Sequence, residues 1–201
     1  MPSPLLEILK KADTFDKSLF FSLNGAFQWL DPFWIFWSSP WPWILAGIIT
    51  FIYTGRRLPL KTWMVVALFA GLTFLVTDQT ANWVKNNVRR PRPCRAFPAK
   101  THRTWPRCSE FGFFSGHAAN AFGQALFWGS LFTTFGFHGG RSKPFQRVLI
   151  LWAALVALSR IFVGVHYPGD VLVGALVGLV VARLARWATL VFLNKIGIFT
   201  T

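Results

Sequence analysis

Apolar residues run along this chain in stretches near membrane length, and the charged residues fall in clusters between them. Stretches at about 38 to 54, 60 to 84, 115 to 136, 146 to 164 and 170 to 192 each approach the ~20 residues that a helix needs to cross a bilayer core. The pattern predicts an all-α integral membrane bundle of about five transmembrane helices, built as a single domain over residues 1–201. Within the last stretch Gly174 and Gly178 form a small-xxx-small pair, which suits close helix packing more than chemistry.

Residues 1–37 have a different character. Leu5, Leu6, Ile8 and Leu9 surround Glu7, Lys10 and Lys11, as in a short helix lying on a membrane surface. The apolar patch Leu19 to Leu30 is broken by Asn24, Gly25 and Gln28 and is too short to span. Trp29, Trp34, Trp37, Trp41 and Trp43 then fall within 15 residues, and indole rings favour the headgroup level. An interfacial N-terminal segment is therefore expected, with core packing as the alternative for these rings. Glu7, Lys10, Lys11, Asp13, Asp16 and Lys17 interrupt every early apolar run, so no cleavable signal is expected and the first span targets the chain.

Short basic connections orient the spans. Arg56, Arg57 and Lys61, then Arg141, Lys143 and Arg147, then Arg183, Arg186 and Lys195 fall on one side by parity, which the positive-inside tendency makes cytoplasmic. The opposite side receives the segment around 85–114, where Lys85, Arg89, Arg90, Arg92, Arg95, Lys100, Arg103 and Arg107 stand against the single acid Glu110. That segment breaks the tendency, and an anionic substrate supplies a reason. Odd parity also leaves Lys10, Lys11 and Lys17 on the outer side, so a sixth crossing before residue 38 is the rival topology.

Composition sharpens this picture. Of the 201 residues 53% are hydrophobic and 17% aromatic, with the charged fraction too low and too clustered for an ordinary soluble domain. The net charge of +14 points to anionic partners, but the basic residues flank apolar spans and build no nucleic-acid module. A phosphorylated or anionic lipid in a bilayer is the expected partner, with no nucleic acid; oligomeric state stays open.

The ionisable residues beside the spans fall in three groups: Lys85 through Arg92-Pro93, Ser115-Gly116-His117, and Ser159-Arg160 through His166 to Asp170. All sit at span ends on one face, so they can converge. Ser115-Gly116-His117 opens a helix, where free N–H groups and the helix dipole favour an anion, and Gly116 permits its close approach. Lys85, Arg92 and Arg160 can surround phosphate oxygens. His166 and Asp170 are four apart, a spacing at which a carboxylate holds one ring nitrogen and leaves the other as a lone pair aimed at phosphorus. His166 is thus the expected nucleophile, and His117 the acid that protonates the leaving oxygen and then the base that activates water.

Asp78 and Asn82 lie on the helix face leading to Lys85 and suggest a structural link beneath the site. Arg89, Arg90, Arg95, Arg103 and Arg107 exceed the needs of one phosphate; each suits anionic lipid, a second phosphate or a large headgroup. Cys94 and Cys108, the only cysteines, both fall in the outward segment, where an oxidising compartment permits a disulfide. Acid, Cys and His spacings lack a metal-binding pattern, so neither a metal nor a cofactor is expected.

Lys85, six residues, Arg92-Pro93, then Ser115-Gly116-His117, then Ser159-Arg160, five residues, His166, three residues and Asp170 resembles the three-part signature of the type-2 phosphatidic acid phosphatase family. The resemblance implies a metal-independent phosphatase in a membrane helix bundle. It assigns the phosphoenzyme to His166, its orientation to Asp170, acid catalysis to His117, and phosphate binding to Lys85, Arg92, Ser115, Gly116 and Arg160. Phe114 stands where the family usually has proline, a difference expected to alter loop shape and leave the chemistry intact. The expected activity is removal of a terminal lipid phosphate through a phosphohistidine, on the outer face of a bacterial cytoplasmic membrane. By analogy with bacterial members, undecaprenyl pyrophosphate leads over phosphatidylglycerol phosphate, phosphatidic acid and lipid A. Phosphotransfer to a second lipid and non-catalytic lipid binding or translocation are the rivals.

Overall fold

The computed structural model describes residues 3–136 and 143–198; Arg141 lies outside the described residues, as does the side chain of Lys143. The described residues form helices α1 (Pro4–Leu23), α2 (Asp31–Ser38), α3 (Trp41–Gly55), α4 (Leu60–Val88), α5 (Pro93–Ala96), α6 (Gly116–Thr134), α7 (Lys143–Phe162) and α8 (Pro168–Lys195), with a 3-10 turn at Gln28–Leu30. Proline sits in the first turn of α1, α2, α3, α5 and α8, where its missing N–H costs nothing and its fixed φ favours helix. Ser3 and Ser115 cap α1 and α6, each hydroxyl accepting an N–H three residues on. Helix α4 ends where Arg89 adopts a left-handed φ of 52°, and the chain turns out into the segment that leads to α6.

Among the described residues three helices are long and apolar enough to cross a membrane: α4, α7 from Pro144, and α8. Gln28–Ser38 and Trp41–Gly55 meet the same criterion only as a pair, bent by 46° at the break. Helix α6 is not among them, and its packing explains why. It lies between α4, α7 and α8, and 11 of its 19 residues are buried. A helix wrapped by protein needs little apolar surface for lipid, so α6 accommodates His117, Asn120 and Gln124.

Gly174 and Gly178 set the contact between α6 and α8. A Cβ on Gly174 would strike the Ser115 carbonyl, and one on Gly178 the Ala119 carbonyl, with Gly123 backing the same contact. The close-packing role expected of this pair is what the structure holds.

Helix α1 crosses one end of the bundle and does not run along it. Asp13 and Asp16 reach Arg90 and Gly169, Phe20 packs on Tyr167 and Ile161, and Asn24 donates to the carbonyls of His102, Ile161 and Phe162. These partners all lie at the end of the bundle where α7 stops and α8 starts. Leu5, Leu6, Ile8, Leu9 and Phe15 of α1 are exposed. The tryptophan run divides: Trp29 and Trp41 are exposed, whereas Trp34 stacks on Phe162 at 4.1 Å and Trp37 and Trp43 pack against α6 and α7. For these three rings core packing wins over the interfacial expectation, because α2 descends along α7 as far as a Ser38 to Ser159 hydrogen bond.

Candidate active site

All three polar groups of the sequence meet at this end of the bundle. The Ser115 N–H donates to the Asp170 carbonyl at 2.9 Å, which joins the start of α6 to the first turn of α8. Between α7 and α8 the chain turns at Gly164, whose φ of +80° and contact with the His102 carbonyl leave no room for a side chain. The N–H groups of Val165 and His166 return to the Arg160 carbonyl, fixing His166 beside the end of α7.

His166 is 2% exposed and held from both sides. Its Nδ1 lies 3.3 Å from Asp170 Oδ2, and its Nε2 lies 3.1 Å from Arg92 Nη1. A guanidinium only donates, so Nε2 must present its lone pair and Nδ1 must carry the proton given to Asp170. Asp170 is placed by its position as third residue of α8, where Oδ2 also accepts the Tyr167 N–H at 3.1 Å.

Cations gather around His166. Arg92 is fixed by donating from Nε to the Phe111 carbonyl and from Nη1 to the Val165 carbonyl. Arg160 is 4% exposed and lies over the Trp105 ring; its Nη1 reaches the Ser38 carbonyl, while its buried Nε has no hydrogen-bond partner. A buried donor left without a partner on Arg160 suits a ligand oxygen. Lys85 Nζ comes within 3.4 Å of where a Cβ on Gly116 would stand, so glycine keeps the ammonium and the α6 N-terminus together. His117, in the first turn of α6, is within electrostatic reach of Arg160, His166, Lys85 and Arg92, and its ring meets the edge of Trp43.

The segment carrying Arg92 is stapled in place. Cys94 and Cys108 form a disulfide, Arg92 N–H donates to the Glu110 carbonyl, and Thr101 donates to the Pro93 carbonyl. Phe114 is buried against Ala81 and Ala119, directly before the α6 cap. Asp78 accepts from Asn82 at 3.0 Å, an exposed bond within α4 that does not tie the helix to the site in the way the sequence suggested.

Several residues escaped the sequence reading. A Cβ on Gly112 would lie 3.1 Å from Asp170 Oδ2 and 3.2 Å from Arg92 Cγ, so this glycine forms a wall of the site. Arg90 is not surplus: it binds Asp170 directly, together with Asp13 and Asp16 of α1. Nothing in their spacing announces a contact across some 75 to 80 residues.

Beside His117 an apolar cleft of about 370 Å³ opens between α3 and α4, floored by α6 and α7. Trp43 forms its rim, and Trp63, packed edge-on against Phe51, lies at its far end. From Phe74 to Trp63 it follows α4 for roughly 16 Å. A Cβ on Gly47 or Gly71, which both line it, would meet nothing within 4 Å.

Burial, and then the charges of Arg92, Arg160, Lys85 and Arg90, hold the His166 imidazole well below the usual histidine value. Both effects disfavour the imidazolium, so protonation is postponed to lower pH and the lone pair persists through neutrality. Nitrogen NMR of histidine-labelled protein is expected to show His166 neutral at pH 6.5, with Nδ1 protonated. A half-protonated ring at that pH would contradict the geometry. Burial also lowers Arg92 to about 10, against the pull of Asp170, which leaves it cationic at neutral pH.

The chain has relatives among known proteins. The model of the PAP2 superfamily matches residues 60–192. The lipid A 4'-phosphatase of Porphyromonas gingivalis is 30% identical over 174 residues, covering 84% of this chain and 70% of that protein. The decaprenylphosphoryl-5-phosphoribose phosphatase of Mycobacterium tuberculosis is 32% identical over 142 residues, covering 71% and 68%. The crystal structure of a transmembrane PAP2 type phosphatidylglycerolphosphate phosphatase from Bacillus subtilis superposes with a TM-score of 0.71 at 24% identity, covering 96% of this chain and 90% of that one.

Proposed function

The chain belongs to the PAP2 superfamily of membrane lipid phosphatases, and from that premise we propose that it hydrolyses the terminal phosphate of a membrane lipid through a phosphohistidine on His166. The observation that carries this reading is the double hold on His166. Asp170 accepts the hydrogen bond from Nδ1–H, and Arg92 stands at the Nε2 lone pair where phosphoryl oxygens would arrive.

Nε2 attacks phosphorus while the bond to the lipid oxygen breaks, and His117 supplies the proton that this oxygen needs. Lys85, Arg92, Arg160 and the N–H groups at the start of α6 hold the three non-bridging oxygens as their charge redistributes. His117, now neutral, takes a proton from water; the hydroxide forms a new P–O bond, the N–P bond breaks, and inorganic phosphate leaves. No metal enters this scheme. The lipid chain occupies the apolar cleft beside His117, and the Cys94–Cys108 bridge supports a site on the outer face of a bacterial cytoplasmic membrane.

The relatives at 30% identity or more favour a phosphorylated glycolipid over undecaprenyl pyrophosphate, because lipid A 4'-phosphate and decaprenylphosphoryl-5-phosphoribose are the substrates in their names. Phosphate release from purified lipid A, decaprenylphosphoryl-5-phosphoribose, undecaprenyl pyrophosphate, phosphatidylglycerol phosphate and phosphatidic acid, with chelator present, tests the reading. Release from a glycolipid at the highest kcat/KM is the expected result; no release from any lipid, or release abolished by the chelator, overturns the scheme. Gly71→Leu, which fills the cleft, is expected to lower kcat/KM about 10-fold for long-chain lipids, the equivalent of ~1.4 kcal/mol, and to spare short-chain phosphates. Equal loss on both substrates would remove the cleft from the substrate path.

A further inference from the structure

Asp170 has two carboxylate oxygens, and the hold on His166 uses only one. Oδ2 accepts from the His166 ring and the Tyr167 N–H, while Oδ1 is taken by Arg90 Nη1 at 2.7 Å. The other end of the guanidinium, Nη2, pairs with Asp13 at 2.9 Å and Asp16 at 2.8 Å. Its face covers the Tyr167 ring, 4.2 Å from the centroid. Asp16 is anchored in turn, its Oδ1 accepting the Gly169 N–H at 2.7 Å in the first turn of α8. These groups form a continuous chain from the interfacial helix α1 to the carboxylate behind His166.

We propose that Arg90, seated by Asp13 and Asp16 of α1, is a positioning residue that fixes the rotation of the Asp170 carboxylate and, through it, the aim of His166. The proposal rests on the phosphohistidine reading and makes α1 part of the machinery. Asp170 is fully buried, so an oxygen deprived of Arg90 stays without a partner or finds another cation. Arg92 is the cation at hand, since its Cγ and Asp170 Oδ2 flank the same glycine, Gly112. A carboxylate that turns to Arg92 releases the Nδ1 proton of His166 and draws the guanidinium from the phosphate side. Asp13 and Asp16 oppose this by fixing Arg90 on the far side, and their charge offsets the guanidinium so that Asp170 keeps its pull on the imidazole. A headgroup anchor has a different arrangement: its cation is free, whereas the Arg90 side chain is 19% exposed and pairs with three carboxylates.

Arg90→Ala, Arg90→Lys and the double variant Asp13→Asn with Asp16→Asn test this in the full chain in detergent, beside wild type, on a lipid substrate that wild type cleaves. Loss of the partner that orients a metal-ligating side chain typically costs 10- to 100-fold, and about the same range is expected for the partner that orients the carboxylate behind His166. Arg90→Ala is expected to lose about that much kcat with KM within about two-fold; added guanidinium ion should restore part of it, and Arg90→Lys should retain more than alanine. The aspartate pair should lose about 10-fold in kcat while keeping every cation of the site, which preserves the test if Arg90→Ala does not fold. A raised KM at unchanged kcat would make Arg90 a headgroup contact and overturn the proposal, as would full activity in the folded aspartate variant. A wild type that releases phosphate from no lipid would overturn the phosphohistidine reading and this proposal together.

Discussion

Replacing His166 by alanine is expected to lower phosphate release by on the order of 10⁴- to 10⁶-fold, because the attacking atom itself is removed. Arg92, Arg160, Lys85 and the α6 N-terminus remain to bind phosphate, so substrate should still protect the variant against thermal unfolding. His117→Ala removes a proton carrier and not the nucleophile, and general acid–base catalysis contributes ~10²- to 10⁴-fold. The two losses therefore differ in kind. With an aryl phosphate, whose leaving group needs no proton, His117→Ala should form the phosphoenzyme at a near-normal rate and then accumulate it, because hydrolysis still needs a base. Rapid-quench trapping of an acid-labile, base-stable phosphoprotein distinguishes them: His166→Ala gives none, His117→Ala gives more than wild type. A phosphoprotein in His166→Ala would assign the nucleophile to another residue.

Gly178→Val carries the largest expected effect away from the chemistry. A Cβ at this position collides with the Ala119 carbonyl and crowds Gly123, so α8 must move off α6. Overpacking of a rigid contact costs ~1 to 3 kcal/mol, and a collision with helix backbone belongs at or above the upper end. The displacement reaches the site, since the N–H of Ser115 and the carbonyl of Asp170 join these same two helices at 2.9 Å. Activity and thermal stability should fall together, whereas Gly71→Ala, whose added methyl meets nothing within 4 Å, should be neutral or stabilising. A Gly178→Val variant with wild-type unfolding temperature and turnover would mean that the α6–α8 contact is loose.

Much of the site was legible in the chain because its chemistry is concentrated. A histidine four residues from an aspartate beside an apolar run, a second histidine after Ser-Gly, and fixed cations at span ends have few structural uses in common. Reading stopped where a residue's meaning depends on its partner. Arg90 looked like one more basic residue of an outward segment, and Asp13 and Asp16 like the polar side of an interfacial helix; the two aspartates meet Arg90, which in turn holds Asp170, only once α1 reaches this end of the bundle. The tryptophan run was ambiguous for the same reason. Indole suits a headgroup layer and a core equally well, and the descent of α2 along α7 chose the core for Trp34.

The sequence by itself determined that this is a membrane helix bundle whose histidines and fixed cations cluster at the ends of its apolar runs, because hydrophobic length and residue chemistry are local properties that survive without coordinates. Only the tertiary structure decided which helix is sheathed by the others, which carboxylate oxygen faces which cation, and that the N-terminal helix is linked through Arg90 to Asp170. Those are relations between segments up to 153 residues apart, as between Asp16 and Gly169, and packing alone sets their distances.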